Sequence, residues 1–119
     1  MRPTARAAAD DLQLFKAAFF RALAHPVRIR ILELLVKGAR SVQELQAELG
    51  LEQPIVSQQL AVLRASNVVS GLKEGASVRY SVRDPLIGTL LDTARRIFNN
   101  HLVGTRDMLE QLDRERRRR

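Results

Sequence analysis

A mainly α-helical domain carrying one small β-hairpin is what this 119-residue sequence predicts. Three observations point there. Hydrophobic residues make up 45% of the chain but aromatics only 4%, so the core must be built from Leu, Val, Ile and Ala, which suits packed helices. Apolar residues recur at helical spacing over most of the length. In one stretch only, residues 68–83, the spacing drops to two.

The elements follow in order. Leu12, Phe15, Phe19 and Leu23 lie at i, i+3, i+7 and i+11 and mark a first helix within residues 4–24. His25 and Pro26 interrupt it. Pro26 fits the first turn of a second helix, where its missing N–H is no loss, and His25 reads as a structural or capping residue. That helix carries Ile29, Ile31, Leu32, Leu34, Leu35 and Val36, a wide apolar face expected at the centre of the core, and stops at Gly38. Ser41 and Glu44 form a capping box for a short helix with Val42, Leu45 and Leu49 inward and Gly50 as its stop. After three intervening residues Pro54 opens a helix of about 54–66 with Val56, Leu60 and Leu63 on the core side, closed by Asn67. A hairpin over 68–83 turns at Gly75 and Ala76. Asp84 and Pro85 cap a long last helix expected over about 84–112. Residues 1–10 are expected to be flexible, residues 11–112 to form a single domain, and residues 113–119 to be a basic disordered tail.

The face of residues 54–65 opposite the core is unusual. It holds Pro54, Ser57, Gln58, Ala61, Arg64 and Ala65, polar and small with almost no charge. A short turn joins it to the helix before it, which makes a helix-turn-helix. In such a unit the second helix enters the DNA major groove. Gln pairs bidentately with adenine and Ser contacts any base, while small Ala lets the backbone approach. The hairpin behind it is then a wing, with Lys73, Arg79 and Arg83 placed to reach phosphates. The fold class is therefore a winged helix-turn-helix. Residues 52–83 hold four positive and two negative charges, a weak excess for a DNA reader, so two copies on one site are expected. The first and last helices can supply that dimer interface through Leu12, Phe15 and Phe19 and through Leu90, Ile97 and Met108, although packing within one chain could also consume these stripes.

Charge adds less than it promises. Of a net charge of +7, the stretch 114–119 accounts for +4. The chain has no Cys, which excludes disulfides, thiolate metal sites and Cys nucleophiles. Neither His sits in a nucleophile arrangement, and the six Gly are scattered singly with no phosphate-cradling loop, so an enzyme is not expected. One Tyr and four Phe, the latter on apolar stripes, give few platforms for stacking RNA bases. No apolar run approaches the roughly 18 residues of a membrane span. The N-terminal MRPTARAAADDLQLF is interrupted by Asp10 and Asp11 and makes no signal sequence. The expected location is the cytoplasm, with no membrane partner.

The segments FFRALAHPVRIRILELL, SVQELQAELGLEQPIVSQQLAVLRASNVV and KEGASVRYSV resemble the ArsR (ArsR/SmtB) family of winged helix-turn-helix repressors over roughly residues 12–105. The resemblance implies a homodimeric repressor that binds double-stranded DNA at an inverted repeat and, in many members, releases it when a metal binds. By motif, Gln53, Pro54, Ile55, Ser57, Gln58 and Gln59 match the reading helix, and Arg79 and Tyr80 the strand after the wing tip. Many relatives carry His where Gln59 stands. The metal side departs from the pattern. The segment VQELQAEL has no Cys, and of the ligands that other members place on the last helix only Asp84 survives, with His101 one residue off the matching position. A divalent metal such as nickel or zinc would have His101, Asp84 and Asp92 as its candidate ligands. The inducer stays open between a metal, an organic molecule, a partner protein and none. The alternative function is a winged-helix module for protein contacts that touches DNA only weakly.

Overall fold

In the computed structural model, which describes residues 4–118, most helices begin at a side-chain cap and end on backbone hydrogen bonds. Helix α1 (Ala5–Leu23) is capped by Thr4, whose hydroxyl accepts from the Ala7 N–H at 3.1 Å. It therefore starts within the stretch expected to be flexible. Helix α2 (Pro26–Lys37) has Pro26 in its first turn, and His25 Nδ1 accepts from the Val27 N–H at 3.1 Å, so His25 is a cap. Strand β1 (Arg40–Ser41) precedes α3 (Val42–Leu49). The Ser41–Glu44 capping box is complete, and Gly50 closes α3 in the left-handed region at φ 67°. The Ser41 backbone N–H donating to Glu44 holds that carboxyl below the usual glutamate range, helped by the nearby Arg79.

Helix α4 (Gln53–Ala65) ends in a Schellman motif. Val68 N–H donates to Leu63 O, Asn67 N–H donates to Arg64 O, and Asn67 takes φ 59°. Strands β2 (Val69–Glu74) and β3 (Ser77–Val82) pair antiparallel, Glu74 opposite Ser77, across a two-residue turn with Gly75 at φ 59°. Positive φ at the first turn position is what a II′-type hairpin requires of Gly. The sequence pattern showed two strands. The sheet has three, in the order β1-β3-β2, with Arg40 opposite Tyr80 and Ser41 opposite Arg79.

The core lies among α2, α3, α4 and the sheet. Ile31, Leu32 and Leu35 of α2, Leu45 and Leu49 of α3, and Val56, Leu60 and Leu63 of α4 are buried. The α2 face is narrower than its composition suggests. Ile29 and Val36, seven residues apart, remain partly exposed, and Leu34 is half-buried. On α1 only Ala22 is buried, while Phe19 and Leu23 are half-buried, and Leu12 and Phe15 stand in solvent.

The chain divides after Ile87 into two units. Helix α5 (Leu86–Arg118) opens on Asp84, whose Oδ1 accepts from the Leu86 N–H at 2.9 Å, and its Ile87 is buried. The second unit, from Gly88, is the rest of this helix. It continues past the expected end at Leu112 to Arg118. Arg is a good helix former, Asp113 pairs with Arg117 one turn on, and cations in the last turn suit the helix dipole. The run expected to be a disordered tail is therefore helical through Arg118, and Arg119 lies outside the described residues. No described helix is long and apolar enough to cross a membrane.

Candidate nucleic-acid interface

Gly50 turns the chain sharply after α3, and Glu52 then caps α4 with its carbonyl, which accepts from Ile55 and Val56. Burial of Val56, Leu60 and Leu63 fixes the rotation of α4 about its axis. The opposite face is thereby set outward. Gln53, Pro54, Gln58, Ala61, Arg64 and Ala65 are exposed, and Ile55 and Val62 are partly so.

The polar groups on this face are not equally free. Gln53 Nε2 donates to Ser57 Oγ at 3.1 Å, which turns the half-buried Ser57 hydroxyl along the helix. Gln58 makes no hydrogen bond to another side chain or to the backbone among the described residues, so both atoms of its amide are available. Gln59 is half-buried, and its Oε1 accepts from Arg28 Nη1 at 2.8 Å. The motif match put Gln59 with the readers, but the fold turns it toward α2. Arg64 is exposed with no ion pair among the described residues.

The wing sorts its cations in the same way. Lys73 is exposed and has no acidic partner among the described residues. Arg79 is engaged within the protein. Its Nη2 donates to Ala39 O at 2.9 Å, its Nη1 pairs with Glu44 at 3.1 Å, and its Nε lies 3.9 Å from Glu74. These contacts tie the wing strand to the start of α3. Arg83 donates to Asn67 Oδ1 at 3.1 Å, next to the end of α4. The cations on the reading helix and wing without a protein partner among the described residues are therefore Arg64 and Lys73, and the Glu52 side chain makes no capping hydrogen bond at the N-terminus of α4.

The residues assigned to a dimer interface differ in exposure. Phe15 is 72% exposed, Ile97 61% and Met108 63%, and Leu12 is also exposed. Phe19 and Leu90 are half-buried.

The candidate metal ligands do not assemble. Among the described residues no three His, Asp or Glu side chains come together within one chain. Asp84 is used as a helix cap, Asp92 is paired with Arg95 and Arg96, and His101 stands alone on an exposed part of α5. The donor set therefore does not fit a metal ion within one chain.

Arg28 and the inward engagement of Arg79 escaped the sequence reading. The only local signal for Arg28 is its place in the first turn of α2, just after His25 and Pro26 and close in sequence to the end of α1.

The model of bacterial regulatory proteins of the arsR family matches residues 25–70, from the cap of α2 through α4 into β2. An uncharacterized HTH-type transcriptional regulator of Mycobacterium tuberculosis, Rv0081, is 46% identical over 104 residues, 87% of this chain and 91% of its own. Its crystal structure superimposes with a TM-score of 0.74 at 47% identity, covering 79% of this chain and 95% of that one. The solution structure of a homodimeric winged helix-turn-helix DNA-binding domain from Mycobacterium bovis gives a TM-score of 0.73 at 27% identity over 84% of this chain and 91% of that one. A biofilm growth-associated repressor of Agrobacterium fabrum is 35% identical over 82 residues, 69% of this chain and 70% of its own. These relatives are named as regulators, not enzymes. With the helix-turn-helix, the wing and a relative matched over nearly its whole length, the chain belongs to the arsR family of bacterial regulatory proteins.

Proposed function

We propose that the chain is a homodimeric, sequence-specific DNA-binding transcriptional regulator that acts in the cytoplasm as a repressor at an inverted-repeat operator, and is a binding protein rather than an enzyme. One observation carries this reading. Gln58 stands free on the exposed, nearly uncharged face of the second helix of a helix-turn-helix whose core side is closed by Val56, Leu60 and Leu63. Membership of the arsR family and the homodimeric DNA-binding domain among its structural neighbours support it.

Gln58→Ala tests the reading. A free Gln in the groove recognises adenine through two hydrogen bonds, so its loss is expected to weaken binding to a cognate duplex by about 1–3 kcal/mol and to relax preference at one base pair per half-site. Binding to random duplex should hardly change. The measurement is fluorescence anisotropy on a duplex selected by the wild-type protein and on a random duplex of equal length. Wild-type protein with no preference between the two would leave a protein-contact module as the better reading.

Glu52→Ser supplies the opposite sign. The N-terminus of α4 has no side-chain cap, and a carboxylate stands where phosphates approach. Ser removes that repulsion and caps the helix, which adds about 1 kcal/mol of stability. Duplex binding is expected to tighten several-fold at low salt and less at high salt, since salt screens exposed charges. Anisotropy titrations at two ionic strengths, with a melting curve, check both effects.

A further inference from the structure

We propose that Arg28 and Gln59 form a positioning link that fixes the reading helix α4 relative to α1, and that Gln59 is therefore not a base reader. Arg28 rises from the first turn of α2. Its Nε donates to Ala22 O at 2.6 Å, its Nη2 to Arg21 O at 3.2 Å, and its Nη1 to Gln59 Oε1 at 2.8 Å. One planar guanidinium thus holds three oxygens from two other helices. Two are carbonyls in the last turn of α1, where the helix end attracts a cation: Ala22 O, whose partner four residues on would be Pro26 with no N–H, and Arg21 O, which also accepts from the Ala24 N–H at 3.1 Å. The third lies on α4. Lys could not replace this fork, because its donors diverge from a single nitrogen.

The commitment of Gln59 matters for recognition. Bidentate pairing with adenine needs both the amide oxygen and the amide nitrogen, and here the oxygen is taken by a half-buried cation. Gln58, one residue earlier and about 100° round the helix, keeps both. The two adjacent Gln residues therefore divide the work, one outward and one inward.

The consequence concerns spacing. This step rests on the proposed homodimer in which α1 contributes to the interface. If two α4 helices must reach two half-sites, their separation depends on how rigidly each α4 is held to its own α1. The Arg28 fork joins those two elements through a charge-assisted contact.

The experiment uses the full chain. A duplex is selected from a random library by wild-type protein. Affinity is then measured for that duplex, for versions with one base pair added or removed between half-sites, and for single base-pair changes in each half-site. The proteins are wild type, Gln59→Leu, Arg28→Met, the double variant and Gln59→Glu, all checked for folding by circular dichroism. Arg28→Lys replaces Arg28→Met if the latter does not fold.

Gln59→Leu and Arg28→Met are each expected to weaken binding to the selected duplex by about tenfold, the scale of one hydrogen bond to a charged group. The double variant should lose little more than either, because both break the same contact. The discrimination between correct and altered spacing should shrink, with base preferences unchanged. Gln59→Glu keeps an oxygen for Arg28 and should restore spacing discrimination. Relaxed preference at one base pair with spacing discrimination intact would make Gln59 a reader and overturn the proposal. So would additive losses in the double variant. A wild-type protein that selects no sequence overturns the DNA-binding reading itself, and this inference with it.

Discussion

Phe15→Asp is expected to leave a folded chain that no longer dimerises and that binds a selected operator about a hundredfold to ten-thousandfold more weakly. Phe15 is 72% exposed on α1, so in a single chain the Asp would meet water and little stability would be lost. In a dimer it would sit in an apolar contact, where an unpaired carboxylate is strongly disfavoured. The DNA effect comes from linkage. Joining two binding modules raises overall affinity by roughly 10²–10⁴ over either alone, with no new contact. The weak charge on each reader makes that linkage important here, since only Arg64 and Lys73 stand free on the reading helix and wing among the described residues. Ile97→Asp on α5, a residue 61% exposed, tests the second stripe independently. Light scattering behind size-exclusion chromatography reads the oligomer, and anisotropy reads the affinity. A dimeric Phe15→Asp protein with unchanged affinity would place the interface away from α1.

Much of this architecture is legible from local chemistry, and what is not has a common cause. The Ser41–Glu44 box, the Pro26 start, the Gly50 stop and the Gly75 turn each depend on residues within four positions of one another, so the chain displays them directly. The burial of Val56, Leu60 and Leu63 follows from their spacing. Strand β1 was hidden because two residues have no period, and its partners, Arg79 and Tyr80, lie some 40 residues away. The same holds for polar side chains. Nothing near Gln59 says that it will meet Arg28, and nothing near Arg79 says that it will meet Ala39 and Glu44. Gln59 was placed with the readers by its motif match and Arg79 by its position on the wing, and neither ground has a view of a distant partner. The end of α5 failed for a different reason. An Arg run looks like a solvated tail by composition, but its helix propensity and the Asp113–Arg117 pair favour continuation.

Leu60→Ala is expected to destabilise the protein by about 2–5 kcal/mol while leaving base preference unchanged. Leu60 is 1% exposed, on the side of α4 that faces the core, so truncation removes buried apolar surface and leaves a cavity. Against a total stability of roughly 5–15 kcal/mol for a domain of this kind, that is a large fraction. The variant should therefore melt many degrees lower, and less of it should be folded at growth temperature. Well below its melting point, however, the folded fraction still presents Gln58 outward, and discrimination among base pairs should match the wild type. Gln58→Ala is the mirror case, with exposed polar atoms lost, melting temperature held and discrimination reduced. Denaturant melts and anisotropy on the same two proteins separate the faces of one helix. Because a dimer's apparent stability depends on protomer concentration, the melts must be compared at equal concentration. A Leu60→Ala protein that keeps its stability, or a Gln58→Ala protein that loses it, would mean that α4 is rotated about its axis from the orientation described, and the assignment of its outer face to DNA would fall with it.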